Sequence, residues 1–218
     1  MLCINAQFRE LEEEKQKKIL DAAFNEFGRH GYKKASTNRI VKEAGISKGM
    51  LFYYFNNKAE LYHDLIDKGV NCIKDEYLLK IDITETDFIE RYKQMAMLKI
   101  KAYDERPAEF HFFGSLYLNP GDDVLSDEAL TLLNETREIG LSRVYENIDT
   151  TLFRRDIPTD TCMRMIRWCL DGYERELTSR LKENEVWFEV GDFGPYWEEF
   201  YTMLDMLRTV YYDKKETK

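Results

Sequence analysis

Apolar side chains recur at helical spacing in segment after segment of this chain, and only 4 prolines and 11 glycines interrupt them across 218 residues. That pattern restricts the fold to packed helices, since strands need period-two alternation and frequent turn residues. Ile19, Leu20, Ala23, Phe24 and Phe27 form one stripe and predict a helix over 12–30 that Gly31 ends. Ser36 and Thr37 precede a helix of about two turns whose Ile40, Val41 and Ala44 face inward. Gly45 closes it, Ser47 can cap a third short helix over 48–55, and Asn56-Asn57-Lys58 breaks the pattern before a long helix over 59–79. Further helices are expected over 84–105, 107–118, 126–147, 160–184 and 196–212, with a turn cluster at 119–123 and a loop at 185–195.

Charge is distributed unevenly. The formal net charge of −9 argues against nucleic acid as a partner, but residues 1–58 carry 11 Lys/Arg against 7 Asp/Glu, and the remainder 21 against 34. A basic head on an acidic body can bind phosphate locally while the body repels it. The apolar runs fall short of the roughly 20 residues a membrane helix needs. The N-terminus alternates acidic and basic residues without a signal-peptide core, so a cytoplasmic location and no membrane partner are expected. Cys3, Cys72, Cys162 and Cys169 form no CxxC pair and read as reduced, buried thiols.

Residues 36–55 have the spacing of a helix-turn-helix: two short helices joined at Gly45, with the small Ala44 before it. In such units the second helix enters the DNA major groove and the first crosses the backbone. Ser36, Thr37 and Asn38 open the first helix. Lys48, Gly49 and Met50 put a cation and uncovered backbone at the start of the second, where base edges and phosphates are met. Leu51 and Phe55, four apart, share an inward face, while Tyr53 and Tyr54 can turn hydroxyls to phosphates. Lys58 adds a charge-assisted phosphate contact.

The run Thr37-Asn38-Arg39-Ile40-Val41-Lys42-Glu43-Ala44-Gly45-Ile46-Ser47-Lys48-Gly49-Met50-Leu51-Phe52-Tyr53-Tyr54-Phe55, continuing through Lys58 to Leu61, resembles the DNA-binding signature of the TetR family. Ile19 to Gly28 with Gly31-Tyr32 is similar to that family's first helix. The match covers about 13–62. A Tyr is frequent in the family at the position of Phe52, so the phosphate role rests on Tyr53 and Tyr54. The body resembles the family only in being all-helical and, weakly, in Phe153-Arg154-Arg155-Asp156-Ile157 before a helix containing Asp171-Gly172.

The resemblance implies an all-α homodimer: a three-helix helix-turn-helix DNA-binding domain over 1–58 and a larger helical ligand-binding and dimerisation domain over 59–218. Its expected partners are operator DNA and a small-molecule effector that releases it. The body is rich in soft and aromatic side chains. Met95, Phe112, Phe113, Tyr117, Trp168 and Tyr173 are candidate linings of an effector pocket, against the alternative that each is simply core. Leu177, Leu181, Phe200, Met203, Leu204, Leu207 and Tyr211 supply apolar faces for a dimer contact. No cofactor, metal site or catalytic set is expected. Glu60-x-x-His63 occurs once without the partner copy a di-iron bundle uses, and no GxSxG, P-loop or GxGxxG is present. The readings from other classes are a helical enzyme or ligand-storage protein with a vestigial head, and an adaptor that binds a protein partner.

Overall fold

The computed structural model describes residues 6–118, 125–183 and 194–213, and among them every regular element is a helix. These are α1 (Ala6–Arg9), α2 (Glu13–Lys34), α3 (Thr37–Ala44), α4 (Lys48–Phe55), α5 (Lys58–Glu76), α6 (Phe88–Glu105), α7 (Pro107–Leu118), α8 (Asp127–Tyr145), α9 (Thr159–Glu183) and α10 (Gly194–Tyr211). The expected turn cluster at 119–123 and most of the loop at 185–195 lie outside the described residues. Two differences from the sequence reading have local causes. Gly31 does not end α2; it kinks it (φ 64°), and the helix resumes to Lys34. α6 starts at Phe88 rather than near Thr84, because the Asp87 carboxylate accepts from the Ile89 and Glu90 amides and caps the helix there.

The described residues form two compact units, one up to Lys80 and within Leu98–Ser142, the other within Ile81–Met97 and from Arg143 onward. The first unit has a single core. Ile19, Phe24 and Phe27 of α2, Ile40 of α3, Leu51 and Phe55 of α4, and Leu61, Tyr62 and Leu65 of α5 are all almost fully buried in it. α7 enters the same core through Phe112, whose ring lies 5.3 Å from that of Phe24 and 5.7 Å from that of Tyr62. At Gly28 the two helices come close, since a Cβ there would sit in contact with the Phe112 backbone, 3.4 Å from its Cα. The core holding the helix-turn-helix therefore includes α5 and α7.

The second unit is built on Phe88, Ile89, Val144, Phe153, Cys162, Ile166, Leu170, Leu204, Leu207 and Tyr212. Its polar staple is Arg91, whose side chain is wholly buried. The guanidinium donates to the carbonyls of Arg143, Val144 and Glu146 at the end of α8, and to those of Ile83 and Glu85. One cation thereby satisfies carbonyls that a helix terminus leaves unpaired. Asp87 is gripped by Arg208 at 2.7 and 3.1 Å and accepts from the Tyr212 hydroxyl at 2.8 Å. Burial would raise the Asp87 carboxyl, but these donors outweigh it and hold it below the ordinary value.

The residues expected to form a dimer face are largely internal to this unit. Leu204 and Leu207 are core, and Phe200, Met203 and Tyr211 pack against them. Leu177 is half-buried, and the side chain of Leu181 lies outside the described residues. The exposed apolar side chains of α9 and α10 are instead Met165, Trp168, Met206 and Val210, at 40–64% exposure. Both helices carry two apolar stripes, so helical spacing alone does not say which one faces inward. Of the cysteines, Cys162 is buried and Cys72 half-buried, where burial pushes its thiol up to about 11; Cys169 is exposed, against expectation.

Candidate nucleic-acid interface

The turn between α3 and α4 is made by two residues with different tasks. Gly45 takes the left-handed conformation (φ 68°, ψ 32°) and returns its N–H to the Val41 carbonyl, which stops α3 at no steric cost. Ser47 is extended, and its hydroxyl accepts from the Met50 amide at 3.2 Å, which starts α4. α4 ends after Phe55, and Asn57 caps α5 by accepting from the Glu60 amide at 2.9 Å. Glu60 in turn accepts from the side-chain amides of Asn56 and Asn57, each at 2.7 Å, so the exit of α4 is as firmly set as its entry.

α4 is thus a short rod with two faces. Leu51, Tyr54 and Phe55, at i, i+3 and i+4, are buried in the first unit. Lys48, Gly49 and Tyr53 are exposed, Met50 and Phe52 are half-buried, and the Lys48 ammonium lies 5.9 Å from the centre of the Phe52 ring. The two tyrosines separate. Tyr53 is 58% exposed, whereas Tyr54 is 6% exposed, with its ring 5.6 Å from that of Phe8. Helical geometry enforces the split, because adjacent residues project about 100° apart. The expectation of an outward hydroxyl suits Tyr53; Tyr54 is a core ring.

α3 is tied down from below. Ser36 occupies its N-cap position in an extended conformation but makes no side-chain cap. Its amide donates instead to Glu26 of α2 at 2.7 Å. Glu26 is 5% exposed and also accepts from Arg39 Nε at 2.9 Å on both oxygens. Burial would raise this carboxyl, but the Arg39 guanidinium and the Ser36 amide hold it below its usual value. Thr37 is half-buried and Asn38 exposed at the start of α3. Lys58 opens α5 with its ammonium 4.8 Å above the Tyr32 ring, and partial burial lowers its pKa. It is placed by that ring rather than left swinging in solvent. The signal for Glu26–Arg39 was absent from helical spacing, because Glu26 falls inside an otherwise apolar stripe. Phe8 and Leu11, three apart before an acidic run, did carry an apolar signal.

The candidate effector residues fall in both units. Phe112 is 1% exposed and part of the first unit's core, with Phe113 half-buried beside that core. Tyr117 lies in α7, but its side chain is outside the described residues. In the second unit Met95 packs against the core, and Trp168 is 60% exposed on α9. Tyr173 donates its hydroxyl to the Tyr196 carbonyl at 2.9 Å and stacks near Phe200 at 5.7 Å, with the Arg180 guanidinium 5.9 Å from its ring. Among the described residues no cluster of His, Cys, Asp or Glu could hold a metal ion, and no helix is long and apolar enough to cross a membrane.

Known proteins resemble this chain in this region and in its fold. Residues 19–65 match the family described as bacterial regulatory proteins, tetR family. The chain is 24% identical over 164 residues to the HTH-type transcriptional repressor AcnR of Corynebacterium glutamicum, covering 75% of this chain and 82% of that protein. It is 29% identical over 126 residues, 56% of each chain, to the nucleoid occlusion factor SlmA of Vibrio campbellii. In fold it is similar to a TetR family transcriptional regulator from Chloroflexus aurantiacus, with a TM-score of 0.63 at 21% identity over 97% of this chain and 99% of that one.

Proposed function

The chain belongs to the TetR family of transcriptional regulators, and on that premise we propose that it binds a palindromic operator as a homodimer and is released by a small, largely apolar or aromatic effector. It is a DNA-binding regulator and not an enzyme. The observation that carries the reading is the two-faced α4. One side is locked into the core by Leu51, Tyr54 and Phe55, and the other offers Lys48, Gly49 and Tyr53 to solvent. A recognition helix needs both properties: a fixed pose, and donors at its N-terminal end to meet base edges.

In this reading residues 1–58 supply the DNA contacts and 59–218 the effector and dimer contacts. Lys48 and Met50 face bases, with Gly49 permitting close approach of the backbone. Ser36, Thr37, Asn38, Tyr53 and Lys58 meet phosphates, and Tyr54 holds α4 from behind. One short helix makes too few contacts for a specific site, so a two-fold dimer reading two half-sites is required. The exposed stripe of Met165 and Trp168 on α9 with Met206 and Val210 on α10 is the surface we assign to that dimer. Met95 and Tyr173 remain the effector candidates in the second unit, as soft and aromatic side chains that adapt to an apolar guest. Phe112 bears on release differently, because it fixes α7 to α2 and α5 within the unit that carries α4.

The effector half of this reading is tested by screening compounds through intrinsic Trp fluorescence and titrating operator DNA with each hit. Hits should weaken operator binding, and operator should weaken the hits by the same factor. Hits that bind while operator affinity stays constant would contradict it.

A further inference from the structure

A short segment precedes the helix-turn-helix domain proper, and it is not idle. α1 is four residues long, and a lone turn of helix has no stability of its own in water. It is held by tertiary contacts. Phe8 is 1% exposed, its ring 4.9 Å from the Phe55 ring and 5.6 Å from the Tyr54 ring. Leu11 packs against the same core. The chain between α1 and α2 is pinned by the Gln16 side-chain amide, which donates to the carbonyls of Arg9 at 3.2 Å and Leu11 at 2.7 Å.

The rings that Phe8 touches are two of the three buried side chains of α4. α4 is only eight residues long, too short to be stable except by docking. The contacts that fix its pose come from α3 and α5 and, beyond them, from Phe8. We infer that Phe8 is a positioning residue for DNA recognition: it closes the core behind α4 and keeps the recognition helix docked in the free protein, without touching DNA. This rests on the assignment of α4 as the recognition helix.

Positioning and contact leave different signatures. A side chain that preorganises the free protein changes affinity through the fraction of molecules that are binding-competent, and leaves the bound complex unaltered. A side chain that meets phosphate changes the number of counterions released, and so the salt slope. Phe8→Ala should therefore weaken operator binding by about tenfold or more, at an unchanged salt slope and unchanged base preference. Phe8→Leu, which refills much of the volume, should restore most of the affinity.

The experiment is an operator titration at several salt concentrations with the full chain, Phe8→Ala, Phe8→Leu and Lys58→Ala, alongside hydrogen exchange of the α4 amides with and without DNA. The inference expects faster exchange across 50–55 in free Phe8→Ala, slow exchange in its complex, and rescue by Phe8→Leu. Exchange separates local undocking from unfolding of the first unit, because the amides of α2 and α5, which share its core, should keep their protection. If Phe8→Ala binds as tightly as the unaltered chain, Phe8 is only a hydrophobic cap and the inference falls. If its salt slope drops as that of Lys58→Ala does, the segment contacts phosphate directly and the inference again falls. If the unaltered chain binds no selected duplex, the DNA-binding reading fails first and takes this one with it.

Discussion

The Glu26 carboxylate receives the Arg39 Nε–H at 2.9 Å on each oxygen, and so joins the middle of α2 to the first helix of the helix-turn-helix. Glu26 is buried, while the Arg39 side chain is half in solvent. Removing the cation therefore leaves a buried charge without its main partner, whereas removing both leaves only a gap.

Arg39→Ala should accordingly lower the midpoint of denaturant melts near neutral pH. The pH dependence follows from the lowered Glu26 carboxyl. A depressed carboxylate contributes stability above its ordinary value, near 4.5, and loses it as pH falls through the native value. Glu26→Gln should remove this contribution, so its stability should fall less steeply than that of the unaltered chain below pH 4.5. Parallel acid melts check the sign.

The two adjacent tyrosines of α4 should part in mutagenesis as they do in space. Tyr54→Ala truncates a core aromatic and should cost about 3–5 kcal/mol of stability. Tyr53→Ala should leave stability within about 0.5 kcal/mol and weaken DNA binding. Thermal melts and binding titrations on the same samples give both numbers.

Lys58→Ala should weaken binding to all duplexes alike and lower the salt slope by about one, as loss of a phosphate contact does. Substitution of Lys48 or Met50 should change which bases are preferred. An unchanged affinity for Lys58→Ala would show that the start of α5 does not reach the DNA backbone.

Gly28 should not tolerate a branched side chain. The Phe112 backbone already lies at van der Waals distance from a Cβ placed there. Gly28→Val should cost about 1–3 kcal/mol by forcing α7 away from α2. A melt within error of the unaltered chain would mean that α7 is free to shift.

Most of the head was legible in the sequence because its signals are local. Gly45 and Ser47 punctuate α3 and α4 by backbone chemistry alone, and Leu51 and Phe55 share a face by spacing alone. What was not legible depends on partners distant in sequence. Tyr54 looks like Tyr53 until Phe8 is placed behind it. Glu26 sits in an apolar stripe, and only Arg39, thirteen residues on, explains its burial. Phe112 reads equally as pocket or core, and its neighbours Phe24 and Tyr62 make it core. Arg91 looks like a surface cation on α6 until the end of α8 arrives. Leu204 and Leu207 read equally as dimer face or core, and they share a core with Phe88 and Phe153 from other segments of the second unit.

The proposed dimer surface is open to a direct check. Trp168→Lys with Met206→Lys charges the exposed stripe while leaving Leu204 and Leu207 in place. The variant should scatter light as a monomer with an unchanged helical spectrum. The reverse choice, Leu204→Lys, should unfold the second unit instead.

The central claim, that this chain reads a two-fold operator through α4, is tested most directly by selecting bound duplexes from a random DNA pool. The account predicts enrichment of an inverted repeat whose half-sites lie about 10 base pairs apart or a multiple of that, and a shift in the enriched bases when Lys48 or Met50 is changed. Enrichment of no sequence, or of one that is indifferent to every substitution on the exposed face of α4, would contradict it.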